Sequence, residues 1–351
     1  MNSWRDNVRK VEPYTPGEQP KEEGVIKLNT NENPYPPSDK IKKAMSGIKN
    51  LRKYPDPAAT KLVEAIASYH GFDKEEVFVG VGSDDVLAVA FMTFFNGKKP
   101  IFFPDITYSF YPVWAELFGI PYEKKAVNDA FEIQKEDYYA ENGGGGLPNP
   151  NAPTGAFLSL EVVEDIIQHN QDVVVIVDEA YIDFGGDTAK ELTRKYDNVL
   201  VVQTYSKSRS LAGLRIGYAI GNKELIKAMN DVKYSYNSYT MNEPSIVLGT
   251  AVLEDEEYFQ ETRNKIIDTR EWFQTEMRKI GFSFADSKAN FIFATHESVP
   301  AKEIFEAAKK AKIYVRYFDQ PRINNYLRIT IGTREEMETL LDFLKEFTAT
   351  K

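Results

Sequence analysis

The chain has 351 residues and a formal net charge of −10, so its length predicts about two domains and its acidity argues against nucleic acid or an anionic membrane surface as a partner. It has no cysteine and three scattered histidines, so disulfides and thiolate metal sites are excluded and we expect no metal centre. No apolar run approaches the length of a membrane span, and the first residues show no signal-peptide pattern, so we expect a cytoplasmic protein.

In chain order, the opening stretch through Pro37 is rich in proline and predicts an extended arm. From about residue 46 to 239, short β-branched runs alternate with helical patterns, which is typical of βαβ units and a mostly parallel sheet. The remainder predicts a long charged helix followed by strands and helices of a smaller α+β unit. We therefore expect an α/β fold with a large domain at 46–239 and a smaller domain formed by 1–45 and 240–351.

Two charged residues follow predicted buried strands of the large domain. Residues 173–177 are all β-branched and lead directly into Asp178, while the apolar run 199–205 is followed closely by Lys207. Parallel strands bring their carboxyl ends to one edge, where α/β folds bind ligands. A lysine for a Schiff base and a buried acid against a pyridine nitrogen are the parts that hold pyridoxal 5′-phosphate (PLP). Taken singly, each has a plainer interpretation, as a strand-end cap or ion-pair member and as a solvated loop lysine.

A glycine turn that opens a helix predicts an anion site. Residues 76–82 form a predicted strand and 83–95 a predicted helix, so the free amides at this turn and the helix dipole would bind an anion such as a phosphate group. The same turn could begin a dinucleotide fingerprint, but Asp85 stands where a third glycine or alanine is needed. Arg215 could complete a phosphate cup, or it could be a surface arginine that opens a strand.

Several segments in one order along the chain resemble a known family. They are Tyr54-Pro-Asp, Gly82-Ser-Asp-Asp, Asp105-Ile-Thr-Tyr108, Asn149-Pro-Asn-Ala-Pro-Thr-Gly155, Asp178-Glu-Ala-Tyr181, Ser206-Lys207 through Arg215, and Tyr326-Leu-Arg328-Ile-Thr-Ile-Gly-Thr333. The chain resembles the fold-type I PLP-dependent aminotransferases from about Tyr14 to its last helix. Within them it is similar to the branch that acts on histidinol phosphate.

The resemblance implies roles around the cofactor ring. Lys207 would form the Schiff base and then act as the base of the proton shift. Asp178 would pair with the pyridinium nitrogen, Tyr181 would hydrogen-bond the ring oxygen, and Tyr108 would stack on the ring.

The resemblance also implies how the phosphate is held. The residues expected to contact it are Gly82, Ser83, Asp84, Ser206 and Arg215. Tyr54 would reach the phosphate of the other subunit, so we expect a homodimer with shared sites.

One position departs from the family pattern. The asparagine that usually precedes Pro-Thr-Gly and binds the ring oxygen is replaced by Ala152. The ring oxygen would then rely on Tyr181, with water or a re-aimed Asn151 as further candidates, and we expect a shifted pKa of the Schiff base. Four consecutive glycines, at 143–146, predict a short or frayed strand.

Substrate anions would be bound by arginine, whose fork pairs with carboxylate and phosphate alike. By resemblance, Arg328 and Arg316 would bind the anions of histidinol phosphate and of glutamate or 2-oxoglutarate. Tyr14 would fold over the substrate, and Asn31 would line the same mouth. Arg322 could belong there too, or it could lie on a solvated face.

Two other readings share the sequence features. One is a PLP enzyme on the same scaffold, such as a threonine-phosphate decarboxylase or an aromatic aminotransferase. The other is a non-enzymatic protein that kept the fold, which is disfavoured because Lys207, Asp178, Tyr181 and Arg215 are all present.

Overall fold

A computed structural model describes residues 4–49 and 51–350. The strands in chain order are β1 (Ile26–Lys27), β2 (Val77–Val81), β3 (Ile101–Pro104), β4 (Tyr122–Lys125), β5 (Gly145–Pro148), β6 (Val175–Asp178), β7 (Val199–Thr204), β8 (Ile216–Gly221), β9 (Phe282–Ser283), β10 (Phe291–His296), β11 (Ile313–Tyr314), β12 (Arg316–Tyr317) and β13 (Leu327–Thr330). The helices are α1 (Asp39–Ser46), α2 (Thr60–His70), α3 (Ser83–Phe94), α4 (Phe110–Phe118), α5 (Leu160–Gln168), α6 (Lys223–Tyr236), α7 (Glu243–Leu253), α8 (Glu256–Arg278), α9 (Ala301–Lys310) and α10 (Arg334–Ala349).

The largest sheet has seven strands in the spatial order β2, β8, β7, β6, β5, β3, β4. All neighbours are parallel except β8, which is antiparallel to both β2 and β7. Successive residues of β7 enter different core clusters, Leu200 and Val202 on one face and Val199 and Val201 on the other. A strand that is buried on both faces explains why its sequence is an unbroken apolar run.

The glycine run lies at the centre of this sheet and is ordered by close packing. β5 begins at Gly145, and all four of its residues are buried. A Cβ atom at Gly145 would lie 2.3 Å from the carbonyl oxygen of Phe102. Glycine therefore lets β3 and β5 approach each other, so the strand is short, as predicted, but it is not frayed.

A second sheet is antiparallel and has the order β12, β13, β10, β9. Residues 313–317 form two short strands: β11 pairs in parallel with β1 of the arm, while β12 pairs with β13. The run divides because its two halves have different partners. A capping box of Thr333 and Glu336 opens α10. These two sheets confirm the predicted fold class.

The packing around the large sheet bears on the expected domain limits. Ile41 of α1 and Ile246 of α7 share a core cluster with Val77 and Ile216. These contacts group α1 and α7 with the large sheet, whereas limits at 46 and 239 assign both helices to the smaller domain. The domain limits at residues 46 and 239 remain a prediction from sequence. Among the described residues, no helix is long and apolar enough to cross a membrane.

Candidate active site

A cavity lies where the carboxyl ends of β5, β6 and β7 meet the arm and the second sheet. Most of the residues predicted from sequence line it: Tyr14, Asn31, Ser83, Asp84, Tyr108, Asp178, Tyr181, Ser206, Lys207, Arg215, Arg316 and Arg328. Segments from opposite ends of the chain thus converge on one site.

The acid at the cavity is deeply buried. Asp178 is 6% exposed, and its Oδ2 accepts a hydrogen bond of 2.8 Å from the hydroxyl of Tyr111, which is wholly buried. Burial raises the pKa of Asp178 to about 6, and the bonds donated by Tyr111 and the Ala180 amide oppose that rise. The carboxylate is held in place and forms no ion pair with any of the described residues.

The lysine contacts the arm at the cavity. Lys207 lies three residues after the end of β7, and its Nζ donates to the carbonyl oxygen of Thr30 at 3.2 Å. The same nitrogen lies 5.6 Å from the centre of the Tyr181 ring. One amine is thereby placed beside the ring of a second predicted catalytic residue.

An anion-binding cup forms at the start of α3. Gly82 precedes this helix with a φ of 83°, and a Cβ atom there would lie 2.5 Å from Nη2 of Arg215. Only glycine fits against that guanidinium. Arg215 donates to the Asp84 carboxylate at 3.1 Å and to the Ser206 hydroxyl at 3.4 Å. These contacts assemble the cation, the hydroxyl and the free helix amides that a phosphate group needs.

Aromatic side chains cover one side of the cavity. The Tyr108 hydroxyl donates to Asp84 at 2.7 Å. Burial and the neighbouring Asp84 raise the pKa of Tyr108. Tyr14 of the arm stacks on Phe110 with 4.3 Å between ring centres and lies 6.4 Å from Tyr108. The arm therefore packs over the cavity through an aromatic contact.

Two arginines of the second sheet mark the opposite side. Arg328 donates from Nη2 to the carbonyl oxygen of Asn29 at 2.9 Å, while its buried Nε has no partner among the described residues. Burial lowers the pKa of Arg328, and the nearby Arg316 adds to that effect. The Arg316 guanidinium lies 5.4 Å from the ring centre of Phe318. Together they give a desolvated cationic region with free donor capacity.

The comparisons with known proteins agree with this geometry. Residues 23–344 match the model of the family described as aminotransferase class I and II. The histidinol-phosphate aminotransferase of Clostridium beijerinckii is 51% identical over 344 residues, which are 97% of this chain and 96% of that protein. The histidinol-phosphate aminotransferase of Lactococcus lactis subsp. cremoris (strain MG1363) is 50% identical over 351 residues, 99% of each chain.

The chain belongs to the class I and II aminotransferases. Among solved structures, the histidinol-phosphate aminotransferase of Sinorhizobium meliloti in complex with pyridoxal 5′-phosphate has a TM-score of 0.84, with 21% identity over 93% of this chain and 91% of that one. That likeness shows that the two chains have the same fold.

Three residues predicted from sequence do not line the cavity of this aminotransferase. Gly82 lies behind it, against Arg215. The Asn151 side chain is turned away: it donates to the Ile106 carbonyl at 2.8 Å and to the Thr154 hydroxyl at 3.0 Å. It also accepts a bond of 3.0 Å from the Thr107 hydroxyl. With both amide hydrogens donated to these partners, Asn151 has no side-chain donor left for the cavity, contrary to the expectation for Asn151.

Tyr54 does not line the cavity of its own chain. Its side chain is 84% exposed and contacts the ring of Tyr239, with 4.9 Å between ring centres. Arg322 does not line the cavity either. It is an exposed residue that forms an ion pair of 2.8 Å with Asp105 and donates to the Val127 carbonyl at 2.6 Å.

Sequence reasoning missed two residues of the aminotransferase site. Tyr111 follows Tyr108 by three positions, a spacing that places both on one side of a helical turn, and this was the available signal. Thr330 carries a hydroxyl that bonds Asn31 across 299 positions of sequence. Nothing in the local sequence indicates that second contact.

Proposed function

We propose that the protein is a PLP-dependent aminotransferase that converts L-histidinol phosphate and 2-oxoglutarate into imidazole-acetol phosphate and L-glutamate in histidine biosynthesis. The observation that carries this proposal is that Lys207 and Asp178 line one cavity with two arginine regions, at Arg215 and at Arg328. One region suits the phosphate of the cofactor, and the other suits an anionic substrate.

The residues present fit PLP. The buried Asp178 carboxylate forms no ion pair within the described part of the chain and would be matched by a protonated pyridine nitrogen. The phosphate would lie at the start of α3 against Ser83, Asp84 and Arg215, with Ser206 adding a hydroxyl. When bound, PLP supplies an electron sink for the charge that develops at the α-carbon of the substrate.

The chain's own groups then divide the work. Lys207 would bind the cofactor through Nζ and, once released, hold the proton that moves between the two carbons. Asp178 would keep the ring nitrogen protonated, and Tyr111 would hold the Asp178 carboxylate in place. Tyr108 would cover one face of the ring. Burial of these groups excludes water from the reacting centre.

The substrate-binding end of the cavity, formed around Arg316 and Arg328 and called the mouth, would accept two different anionic substrates. Histidinol phosphate carries a phosphate monoester where glutamate carries its α-carboxylate, and a guanidinium fork pairs with either group. Arg328 would make this bond because its Nε is buried and unpartnered among the described residues. Arg316 would bind a second anion, and Tyr14 would close over the substrate.

A homodimer with shared sites completes the proposal. Tyr54 and its ring neighbour Tyr239 are both exposed. The chain exposes other large apolar side chains as well: Met45, Leu51, Tyr234 and Tyr236. A second copy of the chain would cover this surface and bring Tyr54 to the phosphate of its partner. Mixing Lys207→Ala chains with Tyr54→Ala chains should restore about a quarter of wild-type activity, because half of the dimers then carry one intact site. No restoration, or a monomer in sedimentation, would contradict shared sites.

The proposed substrate is tested with a panel of amines. Protein saturated with PLP is given L-histidinol phosphate, O-phospho-L-threonine or L-phenylalanine, each with 2-oxoglutarate, and both glutamate and carbon dioxide are measured. We expect glutamate to form fastest with histidinol phosphate and no carbon dioxide from phosphothreonine. Release of carbon dioxide would assign a decarboxylase, and faster turnover of phenylalanine would assign an aromatic aminotransferase.

A further inference from the structure

We infer that Thr330 and Asn31 position the Tyr181 hydroxyl as the hydrogen-bond donor to the cofactor ring oxygen, in place of the amide that Ala152 lacks. This inference rests on the proposed function, because it assigns how this chain holds PLP. It makes Asn31 a positioning residue, in addition to its place in the lining of the substrate mouth.

The side chains of Ala152 and Asn151 offer no donor to the ring oxygen. Ala152 is 7% exposed and packs in an apolar cluster with Ala289 and Phe291, against which the Tyr181 ring also packs. A methyl group there contributes packing only. Both hydrogens of the Asn151 amide are donated to other groups, the Ile106 carbonyl and the Thr154 hydroxyl. Of these residues, Tyr181 alone keeps a hydroxyl at the cavity.

The hydroxyl of Thr330 fixes how the Asn31 amide is turned. Its oxygen accepts the backbone N–H of Asn31 at 3.0 Å, and its one hydrogen is donated to Oδ1 of Asn31 at 3.0 Å. Since Oδ1 faces Thr330, Nδ2 must face the other way. There it donates to the Tyr181 hydroxyl at 2.9 Å.

That bond decides what the Tyr181 hydroxyl can do. Its oxygen accepts from Asn31, so its single hydrogen must point to another acceptor. The described residues provide no second hydrogen bond for this hydroxyl, and Tyr181 lines the cavity. The hydrogen is therefore available to an acceptor in the cavity, and the ring oxygen of PLP is such an acceptor.

The backbone at Asn31 is held for this purpose. Its φ is 56°, a left-handed conformation that asparagine adopts more readily than most residues. It is 1% exposed, and its carbonyl accepts from Nδ2 of Asn290 at 3.0 Å. The arm is thus fixed to β13 and to the residue before β10. The series of hydrogen bonds from Thr330 through Asn31 to Tyr181, called the relay below, therefore does not depend on bound substrate.

The relay has a measurable consequence for the cofactor. A donor to the negatively charged ring oxygen stabilises that charge and weakens its pull on the neighbouring proton of the Lys207 nitrogen. Loss of the donor should therefore raise the pKa of that nitrogen in the loaded protein. One hydrogen bond contributes about one pKa unit at this strength.

The test is a pH titration of the visible absorbance of bound PLP. Asn31→Gly removes the amide, keeps the charge unchanged and tolerates the positive φ. Thr330→Val removes the fixing hydroxyl at nearly constant volume. Both variants, and Tyr181→Phe, should raise the absorbance pKa by about one unit. Thr295→Val makes the same chemical change in the same sheet, away from the arm, and should titrate like wild type.

A double variant separates positioning from general loosening of the site. With Tyr181→Phe already present, adding Asn31→Gly should cause no further shift, because the two residues act through one bond. An unshifted pKa in Asn31→Gly alongside a raised pKa in Tyr181→Phe would overturn the relay. Equal additional shifts in the double variant would overturn it as well. A protein that takes up no PLP would instead refute the proposed function, and the relay with it.

Discussion

The phosphate cup and the substrate mouth are built differently. The cup comes from two short segments of the large sheet: Gly82 to Asp84, where β2 leads into α3, and the loop from Ser206 to Arg215, which joins β7 to β8. Because β8 pairs with β2, the sheet itself brings these two segments together. The mouth joins the N-terminal arm to the second sheet, as in the bond from Arg328 to Asn29, which spans 299 positions of sequence. Pairing of strands within one sheet therefore forms one end of the cavity, while packing of the arm on the second sheet forms the other.

This difference predicts that the two ends fail in different ways. Damage at the cup should weaken binding of the cofactor and leave substrate recognition intact once PLP is saturating. Damage at the mouth should weaken the binding of both substrates and leave the affinity for PLP unchanged. A variant that impaired both properties equally would break the distinction.

The largest effect is expected at the mouth. Arg328→Lys keeps a charge but loses the paired donors, so kcat/KM should fall about 100-fold for histidinol phosphate and for 2-oxoglutarate alike. The affinity for PLP should stay within about twofold of wild type if the mouth acts only on substrates. Steady-state kinetics and absorbance titrations measure the two properties. Arg334→Lys, at an exposed ion pair with Glu338, is the matched control, and a loss restricted to one substrate would contradict a shared anion site.

The reciprocal experiment is Arg215→Lys at the cup. The bonds to Asp84 and Ser206 lose their fixed geometry, so PLP should bind about 30-fold more weakly, or about 2 kcal/mol. The KM for histidinol phosphate at saturating PLP should not change. A raised KM with normal affinity for PLP would place Arg215 at the substrate instead.

The role of the buried Asp178 carboxylate can be tested through the stability of the PLP-free protein. The pKa of Asp178 is raised to about 6 from an ordinary 3.8, so the folded protein without PLP binds this proton more tightly than the unfolded chain does. Stability is therefore lost as the pH rises from about 4 to about 6 and stays reduced above that range. Asp178→Asn should stabilise the PLP-free protein by on the order of 1–2 kcal/mol at pH 7.5.

That gain should shrink as the pH is lowered toward 4, which denaturant unfolding at several pH values would show. Asp165→Asn, at a half-buried position where Tyr139 and Lys135 lower the pKa of the carboxyl, should not stabilise the protein at pH 7.5. A gain for Asp178→Asn that did not vary with pH would show that the buried charge is not its cause.

The smallest effect is expected at Tyr111. Tyr111→Phe removes one donor from the Asp178 carboxylate, which becomes less well held and harder to ionise. PLP should then bind about fivefold to tenfold more weakly, or about 1 kcal/mol. Tyr122→Phe removes an exposed tyrosine bond to Glu116 and should have no effect on PLP. An unchanged affinity in Tyr111→Phe would show that the bond is not used in holding the cofactor.

The comparison of the two ends also explains what the sequence could predict. Asp178 and Lys207 follow runs of β-branched and apolar residues, and parallel strands bring their ends to a common edge. The direction of a side chain is a different matter. Asn151 stands inside a family motif, yet its amide donates to the Ile106 carbonyl, because motif position does not determine where a side chain points.

Contacts between distant segments were beyond the same reasoning. The bonds of Asn31 to Thr330 and to Tyr181 depend on how the arm packs against the second sheet. No local periodicity encodes that packing. Tyr111 lies in an aromatic cluster with Phe91, Phe103 and Trp114. Its sequence pattern is therefore that of a core residue and does not indicate that its hydroxyl bonds Asp178.

The most direct test of the whole account is a half-reaction. Protein loaded with PLP is mixed with L-histidinol phosphate and no keto acid, and the visible absorbance is recorded. We predict that the PLP absorbance disappears, that pyridoxamine 5′-phosphate is recovered from the protein, and that 2-oxoglutarate restores the original spectrum. An unchanged spectrum in protein that carries PLP would contradict the proposed substrate.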